Sequence, residues 1–133
     1  MGENKNAKFV HESVLNEQIH PVFPENLNSD NTAFGGYLLG LIDKVAGTVA
    51  KRHSRKICRT RLIDVVSFSA PIFLTDCIII HASCNRAWNT SMEIGVKVFA
   101  ENEMTGKRRH IASTYLTFVA VKVVGRGKRK KDM

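Results

Sequence analysis

One acidic residue, Asp43, is the clearest candidate for chemistry in this sequence. Its neighbours at helical spacing are small or apolar: Leu39, Gly40, Ala46 and Gly47. No basic residue three or four positions away can therefore pair with it along a helix. A carboxylate in such surroundings can act as a general base or as a nucleophile. The other interpretation is a surface or interface aspartate bonded to a partner chain, and the pattern leaves both open.

Glycines on the same segment point to a second chemical group. Gly35 and Gly36 stand where a helix is predicted to begin, and the first amides of a helix have no internal partner and carry the positive end of its dipole. They could bind a developing oxyanion, although tight backbone packing explains a Gly-Gly pair equally well. Gly40 and Gly47 each cost a helix about 1 kcal/mol relative to alanine, so we expect another backbone or a ligand to approach closely there.

The element that must position these groups is one long helix. Apolar residues recur at helical spacing over residues 34–53, and Asn31 or Thr32 is available as its N-cap. Residues 13–22 show a weak strand-like alternation that Pro21 and Pro24 break. Stretches rich in Ile, Val, Phe and Thr predict strands at 61–68, 77–84, 92–100 and 110–123. Clean alternation over 92–100 predicts a half-exposed antiparallel strand. The layout is α+β, in one domain.

Composition narrows the class of partner. The chain has 133 residues, 44% of them hydrophobic, and a formal net charge of +8. The charge favours a polyanion: nucleic acid, an anionic membrane or a phosphorylated small molecule. Basic residues concentrate at 51–61, read as a surface rim, and at 126–131, read as a frayed tail. A domain of this size would need a second subunit to wall a deep ligand pocket.

Several classes of protein are disfavoured. Three cysteines without a C-x-x-C pair argue against a disulfide framework and a zinc site, and favour the cytoplasm. Five scattered histidines predict no metal, and His81 is expected to be structural. The sequence has no G-x-S-x-G elbow, H-E-x-x-H pair or P-loop. No run approaches the ~20 apolar residues of a membrane span, so we expect no membrane partner.

A family resemblance is carried by motifs in a fixed order. They are Pro24-Glu25-Asn26-Leu27-Asn28, Phe34-Gly35-Gly36-Tyr37-Leu38-Leu39, Ile42-Asp43 and Arg52-His53-Ser54, then Asp64, Phe68, Pro71, Asp76, Thr90-Ser91-Met92 and residues 117–121. Together they resemble the YciA-type and brain acyl-CoA hydrolase family of hotdog thioesterases. The likeness covers roughly residues 13–123, between a flexible segment at 1–12 and a basic tail at 124–133.

The resemblance implies a fold and an activity. A long helix is wrapped by an antiparallel sheet, and two subunits form a homodimer with active sites at their interface. Such dimers often assemble further into hexamers, as a trimer of dimers. The implied activity is hydrolysis of acyl-CoA to a carboxylic acid and coenzyme A, which is part of substrate and product, so no separate cofactor is expected.

The resemblance also assigns site residues. Asp43 is the base or nucleophile, and Asn28 of the other subunit positions water or substrate. Gly35 and Gly36 supply the oxyanion donor, and Ser91 matches a position that lines the reaction site. The set Arg52, His53, Ser54, Arg55 and Lys56 is a candidate rim for the phosphates of coenzyme A. An ordinary solvated helix end explains this basic cluster equally well.

Departures from the family pattern leave substrate preference open. The family usually has glycine at Asn31 and at Thr75, and lysine at Ala70; asparagine is the next most tolerant residue where φ is positive. A non-catalytic acyl-CoA sensor on the same fold is the alternative function, against which Asp43 and Asn28 argue. Specific nucleic-acid binding is disfavoured, because aromatic and basic residues are not interleaved.

Overall fold

The computed structural model describes residues 14–124 and 128–131. Its elements in chain order are strand β1 (Val14–Pro21), a 3-10 turn (Pro24–Asn26), helix α1 (Gly35–Ser54) and strands β2 (Cys58–Ile63), β3 (Asp76–Ala87), β4 (Ser91–Asn102), β5 (Arg108–Val124) and β6 (Lys128–Lys131). The α+β layout predicted from the sequence is confirmed. No helix within these ranges is long and apolar enough to cross a bilayer.

The strands form one antiparallel sheet in the order β1-β3-β4-β5-β2, with β6 pairing to the far end of β5. The β4–β5 hairpin closes through residues 103–107, with Gly106 at a φ of 74° that favours glycine. Strand β2, which follows the helix, lies at one edge of the five-strand order. An edge strand presents unpaired backbone groups along one side.

Helix α1 packs on one face of this sheet. Its buried residues recur at helical spacing: Leu38, Ile42, Val45, Ala46, Val49 and Ala50. The sheet meets them with buried residues of β3 and β4: Ile78, Ile80, Met92, Ile94, Val96 and Val98. The alternation predicted for β4 is thereby confirmed. Each fully buried large aliphatic side chain stabilises the fold by about 1.5–3 kcal/mol.

The helix start differs from the predicted cap. The N-cap is Phe34, which makes no side-chain capping bond, and neither Asn31 nor Thr32 takes that role. The amide of Ala33 instead donates to the carbonyl of Ile72 at 2.8 Å, and Thr32 lies in an isolated β-bridge. These contacts keep the chain extended up to Phe34, which is why the cap prediction is wrong.

Strand β2 lies earlier than the predicted strand at 61–68. The regular ladder with β5 ends at Ile63. The amide of Asp64 still donates to the carbonyl of Tyr115 at 2.9 Å, and the Thr114 hydroxyl then lies 3.3 and 3.4 Å from the carbonyl oxygens of Asp64 and Val65, where it competes with strand pairing. Strand propensity alone does not detect such a side-chain competitor.

The basic tail is partly structured. Lys128–Lys131 pairs antiparallel with Val121–Val124, so the prediction of a frayed tail is wrong for these four residues. Residues 125–127, 132 and 133 of the tail and the segment predicted to be flexible at 1–12 lie outside the described residues.

Candidate active site

Asp43 lies in the middle of α1, beside the edge strand β2. Its Oδ1 accepts a hydrogen bond of 2.7 Å from the hydroxyl of Thr60, and both side chains are half-buried. Among the described residues, the second carboxylate oxygen has no hydrogen-bond partner. Thr60 therefore fixes the orientation of the carboxylate and leaves lone pairs for a water or a substrate.

The two interior glycines have different surroundings. A Cβ on Gly47 would lie 3.5 Å from the ring of Phe118, so this glycine lets the sheet approach the helix, as predicted. A Cβ on Gly40 would meet no atom of the described residues within 4 Å. Gly40 stands almost one turn before Asp43, so the space next to the carboxylate is open to a ligand or a second subunit.

Asn28 belongs to the loop that precedes the helix. Its Oδ1 accepts from the amides of Asp30 and Thr32 at 2.9 and 3.1 Å and from the Thr32 hydroxyl at 3.2 Å. The oxygen is committed to the loop, and the exposed NH2 group keeps its donors for another partner. Asn31 adopts a φ of 63°, the left-handed conformation for which glycine is usual at this position.

The amides of Gly35 and Gly36 come before the first internal bonds of the helix. Tyr37 and Leu38 donate the first such bonds, both to the carbonyl of Phe34, at 3.1 and 3.2 Å. The two glycine N–H groups thus lie at the positive end of α1 and have no hydrogen-bond acceptor within the helix. This is the local geometry of an oxyanion site.

A surface cleft of about 310 Å³ lies beside this helix start. It is lined by Ala33, Gly35, Leu38 and residues 68–72. Most of these side chains are apolar, a lining that suits an acyl chain rather than a charged group. The cleft therefore places an apolar pocket next to the amide of Gly35.

Within one chain, the amides at the start of α1 lie far from Asp43. Gly35 and Asp43 are eight residues apart in one helix, which is about 12 Å along its axis. Asn28 precedes the helix and lies on the Gly35 side of this gap in sequence. A single carbonyl group cannot contact both the helix-start amides and Asp43 of the same chain.

Ser91 lies elsewhere on the sheet. It is the first residue of β4, half-buried, and opposite Val119 of β5. The next residue, Met92, belongs to the core under the helix, so strand alternation directs Ser91 to the other face. A role for Ser91 at the reaction site stays a prediction, and it requires a neighbouring subunit.

The basic cluster spans the last turn of α1 and the two residues that follow it. Arg52, His53, Arg55 and Lys56 are exposed, and Arg55 adopts a left-handed φ of 58° that ends the helix. Ser54 is used within the chain: its hydroxyl lies 3.3 Å from Sγ of Cys58 and accepts from the Lys56 amide at 3.1 Å. The four basic side chains, rather than Ser54, remain the candidate phosphate rim.

Sequence reasoning missed Thr60. The strand was predicted to begin at residue 61, and the flanking Arg59 and Arg61 were assigned to a basic surface rim. A strand beginning at Cys58 would have directed residues 58 and 60 to one face, under the helix. That alternation is the signal that could have found it.

Other nucleophiles do not compete with Asp43. All three cysteines are free, and burial raises the pKa of the Cys77 and Cys84 thiols, which disfavours the reactive thiolate. His81 is held by Glu17 at 3.1 Å, in agreement with the structural role expected for it. Within the described ranges, no three His, Cys, Asp or Glu side chains cluster as metal ligands would.

A single long helix packed on an antiparallel sheet, with a carboxylate in mid-helix, defines a hotdog-fold protein. The sequence profile of the thioesterase superfamily matches residues 30–107. The uncharacterized acyl-CoA thioester hydrolase YkhA of Bacillus subtilis is 38% identical over 119 residues, which are 90% of this chain and 69% of YkhA. Protein VdlD of Helicobacter pylori is 40% identical over 75% of this chain and 58% of its own length. The chain belongs to the thioesterase superfamily.

Solved structures agree with this assignment. An apo-hexameric acyl-CoA thioesterase superposes with a TM-score of 0.81 at 33% identity, over 92% of this chain and 76% of that one. Acyl-CoA hydrolase from Staphylococcus aureus, solved with butyryl coenzyme A and coenzyme A, gives 0.79 at 33% identity, over 92% and 73%. Structures of the S. aureus protein include the variants Asp43Ala, Thr60Ala and Asn28Ala.

Proposed function

We propose that this protein hydrolyses acyl-coenzyme A thioesters to a carboxylic acid and coenzyme A, with Asp43 as the catalytic carboxylate. The observation that carries the proposal is the 2.7 Å bond from Thr60, which holds Asp43 half-buried beside the open space at Gly40. Membership of the thioesterase superfamily supports it. Asp43, Thr60 and Asn28 also agree in type and number with the three positions substituted in the S. aureus hydrolase.

The chemistry needs only these groups. The thioester carbonyl binds the amides of Gly35 and Gly36, which stabilise the oxyanion that forms when the carbon is attacked. Asp43 takes a proton from water while the water oxygen bonds to the carbonyl carbon. The carbon–sulfur bond then breaks, the thiolate of coenzyme A takes the proton back from Asp43, and the carboxylic acid is released with Asp43 ionised again.

Asp43 can also attack the carbonyl carbon itself. The carbon–sulfur bond breaks to leave a mixed anhydride on Asp43, which water then hydrolyses. A single turnover in ¹⁸O-labelled water can detect the nucleophilic route. Label enters the Asp43 carboxylate only when water opens the anhydride at the aspartyl carbon, whereas the general-base route labels the carboxylic acid product alone.

A homodimer is the minimal active unit in this proposal. The 12 Å along the helix between Gly35 and Asp43 requires that a second subunit supply one half of the site. The edge strand β2 favours this pairing, since Leu62 is 57% exposed on it and Val65, just beyond it, is 84% exposed. The existence of a hexameric thioesterase of the same fold supports a trimer of such dimers.

The basic rim at the end of α1 would bind the phosphates of coenzyme A. Arg52 is nine residues beyond Asp43, about 14 Å further along the helix. In coenzyme A, an extended pantetheine arm likewise separates the thioester from the phosphates, so a thioester at Asp43 would have its phosphates some distance away along the helix. No metal, separate cofactor, specific nucleic acid or membrane enters this scheme, and a cytoplasmic location stays a prediction from the cysteines.

A thiol-release screen tests the function. Acyl-CoA substrates of increasing chain length are incubated with the wild-type protein and with Asp43→Asn, and free coenzyme A is followed with a thiol reagent. We expect turnover with at least one chain length and a loss of about 100-fold or more in the variant. Equal circular dichroism spectra establish that both are folded. Acyl-CoA binding by the wild type without any turnover would identify a sensor instead.

A further inference from the structure

Outside the proposed catalytic groups, an ion pair between a buried carboxylate and a half-exposed guanidinium connects the start of β3 to β5. The carboxylate of Asp76 is 1% exposed, and its Oδ2 accepts from Nη2 of Arg109 at 2.8 Å. Nη1 of the same guanidinium lies 3.4 Å from Oδ1. A fully buried carboxylate needs such partners, because an unpaired buried charge is strongly destabilising.

The Asp76–Arg109 pair also hydrogen-bonds the backbone of the segment just before β3. Oδ2 of Asp76 also accepts from the amide of Phe73 at 2.9 Å. Nη2 of Arg109 donates to the carbonyl of Pro71 at 2.7 Å, and the guanidinium carbon lies 5.8 Å from the centre of the Phe73 ring. Backbone groups at 71 and 73 are thus fixed by two side chains that form one unit.

The 71–73 segment is in turn hydrogen-bonded to the chain just before α1. The carbonyl of Ile72, which lies between Pro71 and Phe73, accepts a hydrogen bond from the amide of Ala33 at 2.8 Å. Thr32 and Phe73 form a β-bridge beside this bond. Gly35 is only two residues beyond Ala33, and residues 68–72 also form one wall of the cleft next to it.

We propose that Asp76 and Arg109 are positioning residues for the oxyanion donors at Gly35 and Gly36. They act through the 71–73 segment and Ala33, and do not contact the substrate. The proposal rests on the function proposed above. Since an oxyanion exists only after attack on the carbonyl, a displaced amide should lower kcat and leave KM nearly unchanged.

The neighbouring arginine provides a matched control. Arg108 also binds carboxylates with both ends of its guanidinium, those of Glu17 and Glu101, at 2.7 to 3.1 Å. It is adjacent to Arg109 on β5, so strand alternation directs it to the opposite face of the sheet. Arg109→Lys and Arg108→Lys each keep the charge and lose the planar fork.

The experiment compares these two variants of the full chain with the wild type. Arg109→Lys is expected to lose roughly tenfold in kcat with less than about a twofold change in KM, whereas Arg108→Lys keeps wild-type kinetics. Hydrogen–deuterium exchange at Ala33 should be faster in Arg109→Lys than in Arg108→Lys. Equal kcat and equal exchange in the two variants would overturn the proposal, and so would an effect confined to KM.

A second variant keeps the test possible if the first one does not fold. If Arg109→Lys does not fold, Asp76→Asn with Arg109→Gln removes both charges together and avoids an unpaired buried carboxylate. The same kcat loss and faster exchange at Ala33 are expected of it, and wild-type values would again overturn the proposal. Failure of the proposed function is distinguishable, because the wild-type protein would then release no thiol, while the exchange comparison still reports on the positioning.

Discussion

At the scale of single residues, the partner of Asp43 matters as much as Asp43 itself. The absence of basic residues at helical spacing predicted a carboxylate without an ion pair on its own helix, and the structure agrees. Its actual partner, Thr60, is 17 positions away and arrives on the next strand. Contacts between elements depend on which strand residues face the helix, and one-residue errors in a strand start hide them.

Thr60→Val should separate orientation from chemistry at this site. Valine keeps the shape of threonine but cannot donate to Asp43, so we expect kcat for acyl-CoA hydrolysis to fall roughly tenfold. Thr60→Ser, which keeps the hydroxyl, is the control and should stay within about threefold of wild type. Steady-state thiol release gives both values, and a Thr60→Val enzyme as fast as Thr60→Ser would reject a role for the hydroxyl.

Asn31 gives a prediction about stability alone. Its φ of 63° should make Asn31→Ala less stable by about 1 kcal/mol, whereas Asn31→Gly should be neutral or slightly stabilising. Urea unfolding of the two variants measures the difference. The same stability in both would mean that this loop relaxes to an ordinary backbone conformation.

At the scale of elements, hydrophobic periodicity predicted most of the fold. The helix predicted at 34–53 is Gly35–Ser54, and the alternation over 92–100 lies within β4. The differences between the predicted and observed elements have local causes that hydrophobic periodicity does not reveal. The Thr114 hydroxyl contacts the carbonyls of Asp64 and Val65 where the regular ladder ends, and a bond from Ala33 to the loop before β3 replaces the expected cap. The pairing of Lys128–Lys131 with β5 was not predicted, because a run of basic residues has no strand-like pattern of its own.

An ion-pair network on β1, β3 and β5 makes stability depend on acid. Glu17 accepts from Arg108 at 2.8 and 3.1 Å and lies 3.1 Å from His81, and these bonds lower the pKa of Glu17 from its ordinary 4.5 to about 2. A depressed carboxyl pKa adds stability that is fully present above 4.5 and is lost as pH falls toward 2.

The check on this network is the urea midpoint measured between pH 7 and pH 2. The wild type should lose stability through the window from 4.5 to about 2, and Glu17→Gln should lose less over that window. Glu103→Gln, at an exposed turn glutamate, should follow the wild type. Parallel curves for wild type and Glu17→Gln would show that the network adds nothing in solution, as happens for many exposed ion pairs.

At the scale of the whole molecule, the proposed active site is shared between two chains. In that proposal the helix-start amides, the cleft and Asn28 come from one chain, and Asp43 with Thr60 comes from the other. Chain length and composition predicted that a ligand pocket would need a second subunit, and the 12 Å along α1 between Gly35 and Asp43 gives that expectation a geometric reason. The identity of the acyl chain is a property of the assembled pocket, so neither the sequence nor one chain determines it.

Disrupting the β2 edge should therefore abolish activity together with assembly. Leu62→Asp places a charge on the exposed edge strand, and we expect a monomer in sedimentation velocity with little thiol release. Met104→Asp, at an 87% exposed turn residue, is the control and should remain assembled and active. An active, fully monomeric Leu62→Asp protein would contradict a shared site.

Mixed dimers test the central claim most directly. Asp43→Asn and Asn28→Ala are each expected to be nearly inactive alone, because every site lacks one group. Refolded together in equal amounts, half of the dimers carry one of each chain, and one of their two sites has both groups intact, so about a quarter of wild-type thiol release should return. Activity no higher than the average of the two parents would contradict a site shared between subunits.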